Sequence, residues 1–390
     1  MHARQPATPP RVANAAAARA RFGPRFDALV AALGRSDDLA DLAVAALDGR
    51  PDADALIRRA LAGDDDPSLP DPLRALVARA SATPAWVDPR RLARARQLFR
   101  RAGPIGGLVL AFRSLVGGYV SRAGNKPLVF SGRLQEQARR RLSETGRFVN
   151  AVIADDGLRP GGDGLTITLH VRLIHARIRR LLSRHPRWDH AAWGLPINQH
   201  DMLATIHLFS IVFTDGLRRM GVPVSESEAD DYLHLWRRVG EVIGVEPDLM
   251  PRSARAARED LEFIYMTNGE PDDDSRALTR ALLELPRAEA TTALERRLAE
   301  GRVRVMEALT RRLLGDATAD GLGLSATPLD RLLPWTAPMV FSTHLLRRVA
   351  PRLDDLSLRM SAAYWRHAES AGLDAPATFP LPDLLLGAPR

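Results

Sequence analysis

Two residue sets in this chain have types and spacing that could do chemistry. Both lie in the stretch RLQEQARRRLSETGRFVNAVIADDGLRPGGDGLTITLHVRLIHARIRRLLSR, residues 133–184. The first set is Arg141 and Thr145, one helical turn apart, with Glu144 between them. An inward Arg flanked by Leu134, Ala138 and Phe148 would face an anion or a developing negative charge. The alternative is an exposed arginine whose ion-pair partner is Glu144. The second set is His175 in VRLIHARIRR. Thr168, Val171, Ile178 and Leu182 recur around it at offsets of three, four and seven, so all share one helical face. An imidazole on such a face is either a core histidine or a metal ligand in an apolar sleeve, the setting that holds a porphyrin and excludes water. His200 and His207 are seven residues apart and also share a face, and His207 lies in the most apolar part of its helix. It is read as a distal or second-layer group of the same site, or as a core histidine.

The elements that must position these groups read as helices throughout. Hydrophobic residues make up 45% of the 390 positions, while aromatics reach only 5%, so the core rests on Leu, Val, Ile and Ala. That composition favours helix. No series of alternating strands and no internal repeat is present. Between Phe22 and Ala80, Asp- and Pro-rich punctuation separates three or four short amphipathic patterns. Asp88 and Pro89 form an N-cap and first helical residue. Residues 104–119 are apolar and Gly-rich, open to close approach by another helix or a flat cofactor. Asp201 starts an apolar helix that runs to Gly221, and Ser225 with Glu228 makes a capping box. Fold class is therefore all-α. The expected organisation is a poorly ordered arm over 1–20, a helical extension over 21–86, a large helical domain over 87–375 and a surface tail over 376–390.

Several function classes fall away. Cysteine is absent, which removes disulfides, thiolate haem ligation, iron–sulfur clusters and cysteine nucleophiles. G-x-S-x-G, H-E-x-x-H, a P-loop and a strand-to-helix GxGxxG are all missing. The formal net charge of +8 comes from arginines dispersed among acids, and Lys126 is the one lysine. No nucleic-acid-binding motif accompanies that charge, so no nucleic-acid partner is expected. No stretch approaches the roughly 20 apolar residues of a membrane span. No secretory or twin-arginine signal is visible. A cytoplasmic protein is expected, with peripheral attraction to anionic membrane as the one lipid contact that net charge permits.

The run ARRRLSETGRFV about thirty residues before VRLIHARIRR, followed by GLPINQHDMLATIHLFSIVF and GVPVSESEADDYLHLWRRVGEVIGV, resembles the latex-clearing-protein and MpaB-type oxygenase superfamily. The likeness covers roughly residues 90–265. It implies an all-α fold with a globin-like core, haem b as cofactor, and dioxygen-dependent oxidation of an apolar substrate such as a prenyl group or alkene. By resemblance, His175 matches the proximal haem ligand, and Arg141 with Thr145 matches the polar pair on the haem-pocket helix. Two departures stand out. Glu144 occupies the position of a lysine that can cap the iron in latex-clearing proteins. AGNKPLVFSG lacks the carboxylate that those proteins use as an acid–base group, a role Glu144 is the candidate to fill. A haem oxygenase is the expected function. The alternative is a non-catalytic haem or apolar-ligand binding protein or sensor.

Overall fold

The computed structural model describes residues 8–64, 66–130 and 134–370, and all their regular elements are helices. We number the helices of eight or more residues. They are α1 (Ala15–Phe22), α2 (Pro24–Ala31), α3 (Asp38–Ala45), α4 (Ala53–Leu61), α5 (Asp71–Ser81) and α6 (Pro89–Val109). Then come α7 (Leu134–Ile153), α8 (Asp163–Ser183), α9 (Gln199–Phe209), α10 (Ile211–Arg219) and α11 (Glu226–Ile243). The last five are α12 (Ala254–Asn268), α13 (Asp273–Leu283), α14 (Ala293–Leu314), α15 (Thr336–Val349) and α16 (Pro351–Ser370). The all-α expectation holds.

Local chemistry sets many of these boundaries as read. The Asp88 carboxylate accepts from the Arg90 N–H at the start of α6. Ser225 and Glu228 exchange both capping-box hydrogen bonds at the start of α11. Such caps satisfy backbone N–H groups that have no partner within the helix.

Two apolar clusters hold the helices together. The larger one contains Phe26, Phe99, Phe213, Tyr232, Trp236 and Phe263. The smaller one joins α3–α5 to α8, through Leu73 and Leu76 against Leu165, Leu169, Leu173 and Ala176. Helix α8 feeds both clusters, because Ile167 and Val171 on its other side pack into the larger one. His175 thus sits on the helix that divides the two cores.

The Gly-rich segment is used for helix packing. A Cβ on Gly106 would press on Phe213, one on Gly107 would collide with the Tyr364 ring and hydroxyl, and one on Gly118 would meet Leu208. Gly103 takes φ +53° immediately before Pro104 and kinks α6 there. Leu110–Leu115 then form a π-helical segment.

Residues 8–20 depart from the expected loose arm. Arg11 is paired with Asp201 and donates to the Trp193 carbonyl, the Ala13 N–H donates to the Thr267 carbonyl, and Ala18 on α1 is fully buried. The Pro-, Ala- and Arg-rich composition suggested disorder, but a guanidinium with a partly buried carboxylate to meet docks the segment. Residues 1–7 and the predicted tail at 376–390 lie outside the described residues. The single helix expected from Asp201 to Gly221 is instead two. It breaks at Ser210, whose ψ of −88° leaves the helical region and whose Oγ donates to the Ile206 carbonyl.

Candidate functional site

Helices α7 and α8 form a hairpin with a tight corner. Gly157 and Gly164 sit against the Ala151 carbonyl with no room for a Cβ, and the Leu165 N–H donates to the Gly157 carbonyl at 2.7 Å. Arg141 and His175 each stand twelve residues from this corner, counted from Ile153 and Asp163. At roughly 1.5 Å per residue, the hairpin sets both about 18 Å up their helices.

His175 is held between two buried arginines of its own helix. Arg172, one turn before it, is bidentate to Asp37 at 2.6 and 2.8 Å and donates to the Val242 carbonyl. Arg179, one turn after it, pairs with Asp41 and donates to the Ile197 carbonyl. These clamps fix the rotation of α8 and with it the direction of the imidazole. Of the four residues that share this face, Thr168 and Leu182 are fully buried, while Val171 and Ile178 are half-buried.

The ring itself is half-buried and makes no hydrogen bond among the described residues. Its Nδ1 is sealed from solvent without a partner. Burial pushes its pKa down to about 4; the charge of Arg179 adds to the effect and Asp37 opposes it. At neutral pH the ring is therefore an uncharged imidazole, the protonation state that ligates a metal. Among the described residues, no group of three or more His, Cys, Asp or Glu is arranged to hold a metal ion. A metal bound at His175 would have to bring its remaining ligands with it, as a porphyrin does.

Across the hairpin, Arg141 and Thr145 are both half-buried, and neither side chain makes a hydrogen bond or ion pair among the described residues. The Arg141 charge acts on the buried Tyr119 hydroxyl, opposing the rise in pKa that burial causes there. Glu144 pairs with Arg140, four residues earlier, at 2.8 Å. The alternative Arg141–Glu144 pair is not formed, because the i,i+4 spacing brings Arg140 onto the Glu144 line. This leaves Arg141 as a cation available to an anion.

His207 is fully buried and its Nε2 donates to Asp260 at 3.3 Å. Arg25 closes the chain, bidentate to the same carboxylate at 2.7 and 2.6 Å. That geometry answers to the core-histidine alternative for His207. His200 likewise faces Asp201 at 3.3 Å. The sequence reading missed Arg172, Arg179, Asp37 and Asp41. The only local trace was a pair of arginines at −3 and +4 from His175, indistinguishable by sequence from surface charges.

The family described as "ER-bound oxygenase mpaB/B'/Rubber oxygenase, catalytic domain" matches residues 98–349, a span that contains α7, α8 and all five candidate residues. The chain belongs to this family. It is accordingly an oxidoreductase of the oxygenase class. Over 314 residues it is 27% identical to the "Rubber oxygenase" of Streptomyces sp. (strain K30), covering 78% of this chain and 74% of that protein. The fold is also similar to that in "Structure of Latex Clearing Protein LCP in the closed state", with a TM-score of 0.64 at 23% identity over 91% of this chain and 90% of the other. Within this family member, no helix among the described residues is long and apolar enough to cross a membrane.

Three histidines with depressed pKa give a pH signature. Burial lowers His175, His234 and His344 to about 4, from an unfolded value near ~6.5. Between those limits the unfolded chain binds more protons than the folded one, so stability rises with pH. Stability from these groups is full above about pH 6.5 and is lost as the pH falls through about 4. Thermal unfolding should show a lower Tm at pH 5 than at pH 7. An unchanged Tm across that interval would contradict the neutral, buried state of these rings.

Proposed function

We propose that the protein is a haem b-dependent oxygenase that acts with dioxygen on an apolar substrate, an alkene or prenyl group. The observation that carries the reading is the His175 imidazole, neutral and unpartnered on α8 within the family's catalytic domain. The residues present fit the cofactor. His175 would hold the iron through Nε2, since Nδ1 is sealed from solvent. Arg141, without a carboxylate partner among the described residues, would pair with a propionate or steady developing charge. Haem, when bound, supplies the redox chemistry with dioxygen.

The chain's own groups bind, orient and exclude water. Arg172 and Arg179 fix the rotation of α8, so His175 presents one edge. The apolar side chains of the larger cluster keep the site dry and accept an alkene. Thr145 offers a hydroxyl that makes no hydrogen bond among the described residues. Glu144, held by Arg140, is the candidate on this helix to accept or return a proton, the acid–base role for which AGNKPLVFSG offers no carboxylate. The similarity to a rubber oxygenase supports an isoprenoid-like alkene as the substrate class.

The test is a visible spectrum and pyridine haemochrome of protein produced with haem precursor, followed by oxygen uptake with short isoprenoid alkenes. The expected result is a b-type spectrum near one haem per chain and alkene-dependent oxygen uptake. A colourless protein that ignores added hemin would remove the haem reading. A haem-loaded protein that consumes no oxygen with any alkene would remove the substrate reading.

A further inference from the structure

The outer face of α15 and α16 is apolar and is not covered by other described residues. Along α15, Met339, Leu346 and Val349 are 71, 56 and 76% exposed, and Trp335 just before the helix is 74% exposed. Their spacings of seven, three and four align them in one stripe. On α16, Leu356 and Met360 are 55 and 60% exposed. Ten of the seventeen large exposed apolar side chains of the described residues fall within positions 332–360, so this is a patch and not scatter.

The orientation is fixed from beneath. His344 and Arg347 on the opposite face of α15 are buried, and Arg347 donates to Asp354 at 2.9 Å and to the Arg101 carbonyl at 3.1 Å. The stripe therefore cannot roll inward without breaking the Arg347–Asp354 pair and the hydrogen bond to the Arg101 carbonyl.

Charge identifies the occupant. Exposed Arg331, Arg348 and Arg352 border the stripe, and their side chains make no hydrogen bond or ion pair among the described residues. The neighbouring acids are already engaged, Asp354 with Arg347 and Asp355 with Arg359 at 2.7 Å. A second copy docked by two-fold symmetry would bring these free arginines against their own equivalents. An anionic lipid surface meets both features, since apolar side chains enter the acyl boundary while arginines reach headgroup phosphates. Tryptophan at the edge of such a face suits the interface. We propose that the outer face of α15 and α16 docks the protein on a lipid surface carrying anionic headgroups. Helix α16 packs against α6 and α7. If the oxygenase reading holds, on which this last step rests, lipid-dissolved substrate arrives beside the helix that carries Arg141.

The experiment is co-sedimentation of the full chain with phosphatidylcholine vesicles, with and without phosphatidylglycerol, read together with tryptophan fluorescence. No haem activity enters the readout, so its failure is separate from failure of the oxygenase reading. Binding to phosphatidylglycerol vesicles is expected, with a blue shift and release by salt. Arg348→Ala with Arg352→Ala should lower partitioning about thirtyfold, at ~1 kcal/mol per arginine near the surface. Leu346→Glu with Val349→Glu should abolish binding. Because all four side chains are exposed, the Tm of each variant should match wild type, which separates lost docking from lost folding. Absence of binding to either vesicle would overturn the proposal. So would equal binding to neutral vesicles, or a wild-type dimer that Leu346→Glu breaks.

Discussion

His175→Ala should purify with at most a tenth of the wild-type haem content, expressed under identical haem supply. Loss of a group that merely supports a ligand typically costs 10–100-fold in metal affinity, and loss of the single protein ligand should cost at least as much. The haem-free fold should survive the change. The imidazole makes no hydrogen bond among the described residues, so its removal strands no partner. Removing an unpartnered Nδ1 even relieves a buried polar atom. The haem-free variant should therefore unfold within about 1 kcal/mol of haem-free wild type. Far-UV circular dichroism and urea titration measure this beside the haemochrome assay. A variant that keeps a full b-type spectrum would reduce His175 to a core residue. Imidazole added to the variant should restore part of the spectrum if the space left by the side chain is the ligand position.

Asp37→Ala is expected to be the most damaging single change outside the large apolar core. Asp37 is 5% exposed and takes a bidentate ion pair from Arg172, which is 6% exposed. The same carboxylate caps α3 by accepting from the Ala40 N–H. It also closes against Gly244, whose φ of +99° and lack of a Cβ let the αL end of α11 pass there. Breaking one side of a buried ion pair leaves the other charge without compensation and costs ~3–5 kcal/mol. Urea denaturation should show that loss as a lower midpoint with little change in slope. Adding Arg172→Leu should recover part of it, because the stranded charge is then gone. A loss below about 1 kcal/mol would mean that solvent reaches Arg172 and that the clamp around His175 is loose.

The sequence by itself determined the features that depend on neighbours within a few residues. Helical periodicity gave the all-α class. Asp88 with Pro89 and Ser225 with Glu228 marked two helix starts by short-range hydrogen bonding, and both are present. The spacing around His175 placed it on an inward face, and Thr168 and Leu182 are fully buried there. The family was recognisable from the Arg141, Thr145 and His175 spacing with its flanking runs, and the catalytic-domain match covers all three.

Tertiary structure decided everything that depends on a partner far away in the chain. The Arg11–Asp201 pair docks a segment whose composition reads as disordered. His207 is assigned by Asp260 and Arg25, residues 53 and 182 positions away, and no local pattern announces either. Arg172 and Arg179 look like surface charges until Asp37 and Asp41 arrive from α3. The same holds for the last helices. Trp335, Met339 and Val349 have the periodicity of a core-facing stripe, and only the packing of His344 and Arg347 shows that the opposite face is the buried one. An amphipathic pattern states that two faces differ. Which of them meets the core is settled by the buried partners that the other helices bring to it.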